Sequence, residues 1–340
     1  MSNGTQTEAK RAAPAKLWLA WEDDSSIRSR VLAEELGAEF HAFTTLNDRL
    51  GLGWLRYLIA LSQTAWLLAR RRPALVVAQN PSILLAWLAA RLKPLLGYRL
   101  IVDLHTQFHR PTGWKKAIYD HLHLTGLRRA DAVIVTNDAY RQEIASETHK
   151  PVLVLPDKVP ELQPPGGVGG LAGTHNVLYI CTFSEDEPWR EVLAAAKDLE
   201  DGTCIYVSGK SPIPEEGLSD NVRLTGFLPT ADYHGLLQAV DAIMVLTTAD
   251  NNLVCGGYEA VAARKPLILS DTRALRSYFR RGVVYTKNDA SAIAEAIDAT
   301  RTRREFLEEE MCQLRSELAD EWRSQWQQVL ARIDARSDSE

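Results

Sequence analysis

Short apolar runs rich in Val, Ile and Leu alternate along this 340-residue chain with longer stretches in which apolar residues recur every three or four positions. The runs Ala-Leu-Val-Val-Ala at 74–78, Arg-Leu-Ile-Val-Asp at 99–103 and Asp-Ala-Val-Ile-Val at 131–135 show no polar alternation. That is the pattern of strands buried on both faces of a parallel sheet. Strands are predicted over 16–21, 39–43, 74–79, 98–103, 131–136 and 151–155. Helices are predicted between them over 25–37, 52–72, 82–96, 113–129 and 138–147. Alternation of this kind over about 140 residues predicts a doubly wound α/β unit.

The pattern breaks at 156–175, where Pro-Pro-Gly-Gly-Val-Gly-Gly-Leu-Ala-Gly is too rich in Gly and Pro for a regular element. Alternation then resumes, with strands over 177–181, 203–208, 221–224, 241–246, 266–269 and 283–285 and helices over 188–199, 230–239, 257–263 and 290–299. The tail, 303–334, reads as one helix with Phe306, Leu314, Leu318, Trp322, Trp326, Val329 and Ile333 on a single apolar stripe, expected to pack against a domain. The expected organisation is a first domain over 1–160, a linker over 161–175, a second domain over 176–300, and a helix and tail over 301–340. Two doubly wound units are expected to enclose a cleft, since ligands of such sheets bind beyond the carboxyl ends of the strands.

Composition changes this picture in two ways. The formal net charge of −5 conceals an asymmetry: residues 1–160 carry 21 Lys and Arg against 15 Asp and Glu, a net +6, whereas residues 161–340 carry 18 against 29, a net −11. The four cysteines, at 181, 204, 255 and 312, form no CxxC pair, so reduced thiols are expected rather than a disulfide framework or zinc ribbon. The polar residues 1–16 lack the apolar core of a signal peptide, and the most apolar stretch, 54–69, falls short of the ~20 residues that span a bilayer. A cytoplasmic chain is expected. With a pI near 6.0 and no recognition module, no nucleic-acid partner is.

The sharpest chemistry lies at 250–266. Polar residues end a strand, Gly256 and Gly257 open a helix, and Glu259 falls on its first turn. Free N–H groups and the helix dipole at such a terminus favour a diphosphate, and the glycines would allow close approach of an anion. Glu259 could accept from two vicinal ribose hydroxyls; a glutamate simply complementing the dipole fits equally well. In the first half, Asp103 and His105 end a strand, with His109 one short loop away. A histidine with a pKa near neutrality suits proton transfer. Arg28 and Arg30 open the first helix, and Glu22-Asp23-Asp24 follows the first strand, but no metal-binding DxD is present and no catalytic metal is expected.

The segment 250–266 resembles the second-domain signature of nucleotide-sugar glycosyltransferases of the GT-B fold, a Glu-x(7)-Glu followed by small residues and Lys-Pro. Glu259 matches the second glutamate, which in that family holds the donor ribose; the first falls on Asn251, which keeps hydroxyl recognition without the charge. Asn-Val-Arg-Leu-Thr-Gly-Phe at 221–227 matches the strand and loop that read the nucleobase, and 231–241 matches the helix that follows. In the first half, Val-Val-Ala-Gln-Asn-Pro-Ser at 76–82, Leu-Ile-Val-Asp-Leu-His-Thr at 100–106 and Ala-Asp-Ala-Val-Ile-Val-Thr-Asn at 130–137 resemble family 4 transferases. They also resemble the β-mannosyltransferases that extend dolichyl-diphosphate chitobiose, as does Thr-Phe-Ser-Glu-Asp-Glu at 182–187. The resemblance implies two Rossmann-like domains. It assigns donor binding to Asn251, Asn252, Gly256, Gly257, Tyr258, Glu259, Gly226 and Phe227, a reacting-centre role to His105 and Asp103, and acceptor binding to Arg28, Asn80 and His109. The donor would be a UDP- or GDP-sugar, with no further cofactor.

Retaining members carry an Arg and a Lys after the first strand of the second domain; here three acids, 185–187, stand in that place. Lys210 and Arg190 are the substitute candidates for stabilising the leaving group, and inversion becomes an option. The basic first half, with Trp54, Trp66, Arg70, Arg71, Arg72, Lys115 and Lys116, suits a lipid-linked or glycan acceptor at an anionic membrane surface. Two other functions fit the same fold, a non-catalytic subunit that binds a transferase partner or glycan and a nucleotide-sugar 2-epimerase.

Overall fold

The computed structural model describes residues 15–21, 27–43, 53–105, 111–167 and 169–334. Two compact units emerge. One comprises residues 1–135 and 143–153, the other 136–142 and 154–340.

The first unit holds a six-stranded parallel sheet in the order β2-β1-β3-β4-β5-β6. Its strands are β1 (Lys16–Ala20), β2 (Glu39–Ala42), β3 (Leu75–Gln79), β4 (Arg99–Leu104), β5 (Ala132–Val135) and β6 (Val152–Val154). Between them run α1 (Ile27–Leu36), α2 (Gly53–Arg71), α3 (Ile83–Leu96), α4 (Trp114–Arg129) and α5 (Asp138–Ala145). Every residue of β3 and β5 is buried, as uninterrupted apolar runs require. Register pairs Gln79 with Asp103 and Asp103 with Ile134, so the polar ends of β3 and β4 lie side by side at the carboxyl edge.

The second unit repeats the plan with the order β12-β11-β10-β7-β8-β9. Its strands are β7 (His175–Tyr179), β8 (Thr203–Ser208), β9 (Val222–Gly226), β10 (Ala242–Val245), β11 (Leu267–Ser270) and β12 (Val283–Thr286). Its helices are α6 (Trp189–Ala195), α7 (Thr230–Ala239), α8 (Cys255–Ala263), α9 (Arg273–Tyr278), α10 (Ala290–Thr302) and α11 (Arg304–Asp334). The chain is therefore α/β with two doubly wound parallel sheets and a long final helix. Asp289 caps α10 by accepting from the Ala292 N–H at 3.0 Å. The helix expected over 188–199 ends at Ala195 and tightens into a 3-10 turn over Ala196–Asp198. The six-residue α9 is too short to show a helical period in the sequence; Thr272 caps it through the Leu275 N–H.

Two expectations need correction. The stretch 156–175 is irregular, but it is not a free linker. Val159, Leu162 and Leu171 pack against the core of the second unit, and Gly166 N–H donates to Ala231 O at 2.9 Å on α7. Gly and Pro remove regular structure without removing the apolar side chains between them. The stripe of α11 does not include Phe306, which is exposed with the Arg303 guanidinium 5.5 Å from its ring centre. Leu307 and Met311 stand on the buried face instead, followed by Leu314 and Leu318, and Trp322 donates to Pro156 O at 3.2 Å.

Candidate functional site

In the first unit the polar residues at the ends of β3 and β4 form one network. Asp103 is completely buried, and Arg28 from α1 grips it with two bonds, Nε to Oδ2 at 3.2 Å and Nη2 to Oδ1 at 2.9 Å. Burial pushes the Asp103 carboxyl up, but the Arg28 charge and its hydrogen bonds, with His105 close by, outweigh it and hold the carboxyl below the usual range. His105 Nδ1 lies 3.6 Å from Asp103 Oδ2, and the ring keeps some exposure. Asn80 Oδ1 accepts the His105 N–H at 3.0 Å, and Asn80 N–H donates to Asp103 O at 2.9 Å. Behind them Gln79 Oε1 accepts from Trp18 Nε1 at 2.8 Å and from the Ser29 hydroxyl. The network therefore presents an imidazole, while Asp103 and Arg28 act as its buried support. Arg28, expected to bind the acceptor, neutralises Asp103. His109 and Glu22–Asp24 lie outside the described residues.

In the second unit the carboxyl end of β7 is the hub. A Cβ on Gly256 would stand 2.8 Å from Ile180 Cδ1 and 2.8 Å from Val245 Cγ2, and one on Gly209 would collide with the Cys181 carbonyl. Consecutive residues after β7 thus touch the start of α8 on one side and the Gly209–Lys210 turn on the other. Gly209 bridges to Gly226, which adopts φ 64°. This places Lys210, exposed, and Phe227, 78% exposed, at the ends of β8 and β9.

The glycines of α8 serve packing. A Cβ on Gly257 would lie 2.7 Å from Cζ of the buried Phe279, so both glycines set the helix close against the core. The expectation that they open the backbone to an anion does not hold for their Cα faces. Tyr258 is likewise a core residue, its ring 5.4 Å from Tyr278 and 5.5 Å from Phe279 and its hydroxyl accepting from Asp157 N–H at 3.3 Å. Glu259 turns the other way, toward α7, where the Tyr233 hydroxyl donates to its Oε2 at 2.6 Å. Burial raises the Glu259 pKa, and this bond opposes the rise. Asn251 and Asn252 are half-buried; the carbonyl of Asn251 accepts from Asn137 Nδ2 at 2.9 Å.

The three acids after β7 have separate fates. Phe183 adopts φ 61°, which is costly for a side chain of that size. The turn converges the Thr182 and Ser184 N–H groups on Glu187 Oε2, at 2.8 and 2.9 Å, with the Thr182 hydroxyl at 3.1 Å. Converging amides of this kind form an anion cradle, and here the chain's own carboxylate fills it. Asp186 accepts from the Thr247 hydroxyl at 2.9 Å and so ties this loop to the one after β10. Glu185 is exposed. Arg190, a substitute candidate, stacks 4.1 Å from the Trp189 ring centre.

Sequence reasoning missed Tyr233, Asp186 and Glu187 as members of the site. Tyr233 reads as one apolar position of a helix, and only tertiary packing shows that its hydroxyl meets a carboxylate 26 residues later.

Residues 14–156 match a glycosyl transferase 4-like domain, and residues 182–315 match the glycosyl transferases group 1. Among solved structures, HepE from Anabaena, crystallised with UDP and glucose, aligns with a TM-score of 0.71 at 14% identity, over 95% of this chain and 100% of that one. Sucrose-phosphate synthase from Thermosynechococcus elongatus aligns at 0.70 and 14%, over 94% and 100%. The lipopolysaccharide outer core galactosyltransferase WaaB, in its apo form, aligns at 0.64 and 12%, over 95% and 99%. At such identities the likeness is one of fold. No curated protein sequence matches this chain.

Proposed function

This chain belongs to the glycosyltransferases of the GT-B fold, a 4-like domain followed by a group 1 domain, and on that premise we propose the donor and acceptor it takes. The donor is a UDP- or GDP-sugar bound by the second unit, and the acceptor is a glycan or a polyprenyl-diphosphate-linked glycan bound by the first. The observation that carries the donor reading is Glu259, a half-buried carboxylate on the first turn of α8 with one oxygen engaged by Tyr233 and the other free of protein donors among the described residues. A ribose hydroxyl is the partner such an acceptor suits. HepE was crystallised with UDP and with UDP-glucose, which favours the uridine donor.

The remaining assignments are those the family resemblance implies. The Gly226–Phe227 turn takes the base, and Asn251 and Asn252 take sugar hydroxyls. Lys210 and the start of α8 meet the diphosphate, since Glu187 already fills the cradle after β7. An acidic unit can hold an anion in this way only through such local groups. His105 serves the reacting hydroxyl, oriented by Asp103, Arg28 and Asn80. The lipid-linked acceptor is supported by exposed Leu58 and Trp66 on α2 and by exposed Trp114 and Ile118 beside Lys115 and Lys116 on α4. Apolar side chains flanked by basic ones suit the headgroup region of an anionic membrane. No helix among the described residues is long and apolar enough to cross one.

The deciding experiment is calorimetric titration of the full chain with UDP- and GDP-sugars. Binding of one donor, weakened at least tenfold by Glu259→Ala with an unchanged melting temperature of the free protein, is the expected result. Equal affinity in the variant would refute the role of Glu259.

A further inference from the structure

We propose that Tyr233 is a positioning residue for donor recognition, holding the Glu259 carboxylate in the one orientation that leaves Oε1 to read the ribose hydroxyls. The inference rests on the donor reading of Glu259 given above.

The geometry is specific. Tyr233 stands on α7 and Glu259 on α8, and their bond, Oη–H to Oε2 at 2.6 Å, is the cross-helix contact that fixes the glutamate rotamer. Among the described residues no second hydrogen bond reaches the Glu259 carboxylate, so the tyrosine hydroxyl is what selects one rotamer of its long side chain over another. The charge state depends on the same bond. The groups around it are few. From α7 the titratable neighbour is Tyr233, and on α8 Cys255 lies near Tyr233. The apolar core beside α7 and α8 includes Ile243 and Val245 of β10, Leu267 and Leu269 of β11, and Met311, Leu314 and Leu318 of α11. Against burial, the hydrogen bond donated by Tyr233 favours the ionised form.

A fixed carboxylate is a demanding acceptor. A site built to hydrogen-bond a hydroxyl rejects the analogue that lacks it, because a buried acceptor is then left unpaired. The pair Tyr233–Glu259 is therefore the element that selects ribonucleotide over 2′-deoxyribonucleotide donors.

Three full-length proteins test this, wild type, Tyr233→Phe and Glu259→Ala, each titrated with UDP and GDP and with their 2′-deoxy forms between pH 5 and 8. Tyr233→Phe removes one oxygen and leaves the ring in place; its melting temperature reports that it folds. The expected result is about a tenfold loss of nucleotide affinity. It comes with a smaller ribo-to-deoxy preference and loss of binding at a higher pH than in the wild type. A variant that matches the wild type in affinity, preference and pH profile, while Glu259→Ala weakens binding, overturns the role of Tyr233 alone. If Glu259→Ala also binds like the wild type, the donor reading falls, and the inference with it. Glu259→Gln gives a second arm: the pH dependence left in that variant is that of the nucleotide's own terminal phosphate, which titrates at about pH 6, so its binding should vary less with pH than that of the wild type; persistence of the full wild-type pH profile in it also overturns the inference.

Discussion

The clearest residue-scale case is Asp103. Its place at a strand end beside a histidine is visible in the sequence, and so is the candidate chemistry. What the sequence hides is that Arg28, 75 residues earlier, reaches the same carboxylate and closes it off from solvent. Breaking a buried ion pair from one side leaves an uncompensated charge. Asp103→Asn should therefore cost about 3–5 kcal/mol in urea unfolding. The sign with pH follows from the depressed carboxyl. Its contribution is complete above the ordinary carboxylate pKa of about 4 and is lost as pH falls through the lower folded value. The wild type should thus lose stability on acidification relative to Asp103→Asn, a difference that acid titration of the unfolding midpoint reads directly.

Elements show the same division. Helix α8 is legible from its glycines and the small residues that follow, but the purpose of the glycines is not. Alanine in an open helix position stabilises by about 1 kcal/mol over glycine. At Gly257 the sign should reverse. The added methyl meets the Phe279 ring, which is itself wedged against Tyr258 and Tyr278, so Gly257→Ala should cost about 1–3 kcal/mol. A denaturation midpoint at or above that of the wild type would show that the ring yields. The final helix, α11, teaches a related lesson. A heptad-like stripe predicts its existence and length, yet at its start the three- and four-residue steps admit two faces, and the buried one runs through Leu307 and Met311 rather than Phe306.

At the scale of the whole molecule, charge and exposed apolar surface belong together. Trp66 on α2 is 64% exposed and Trp114 on α4 is 74% exposed, both in the basic half of the chain. The full-length protein should sediment with vesicles containing anionic lipid and much less with neutral ones. Added salt should weaken that association, since screening shortens the reach of exposed charge. Trp66→Ala together with Trp114→Ala should reduce it while leaving nucleotide binding intact; sedimentation equal to the wild type would separate these tryptophans from any membrane role.

The sequence by itself determined the alternation of strand and helix, the two doubly wound units and the glycosyltransferase character of the second. These follow from short-range periodicity and from a motif contained in one stretch of chain. Tertiary structure alone decided which polar residues meet. It brought Arg28 to Asp103, Tyr233 to Glu259, and Glu187 into the amides after β7. It also turned Gly256, Gly257 and Tyr258 toward the core. The physical reason is common to all of them. A buried charge needs a partner, and a close-packed interior needs room, but neither the partner nor the space is adjacent in sequence; both are set by which elements the sheet lays side by side.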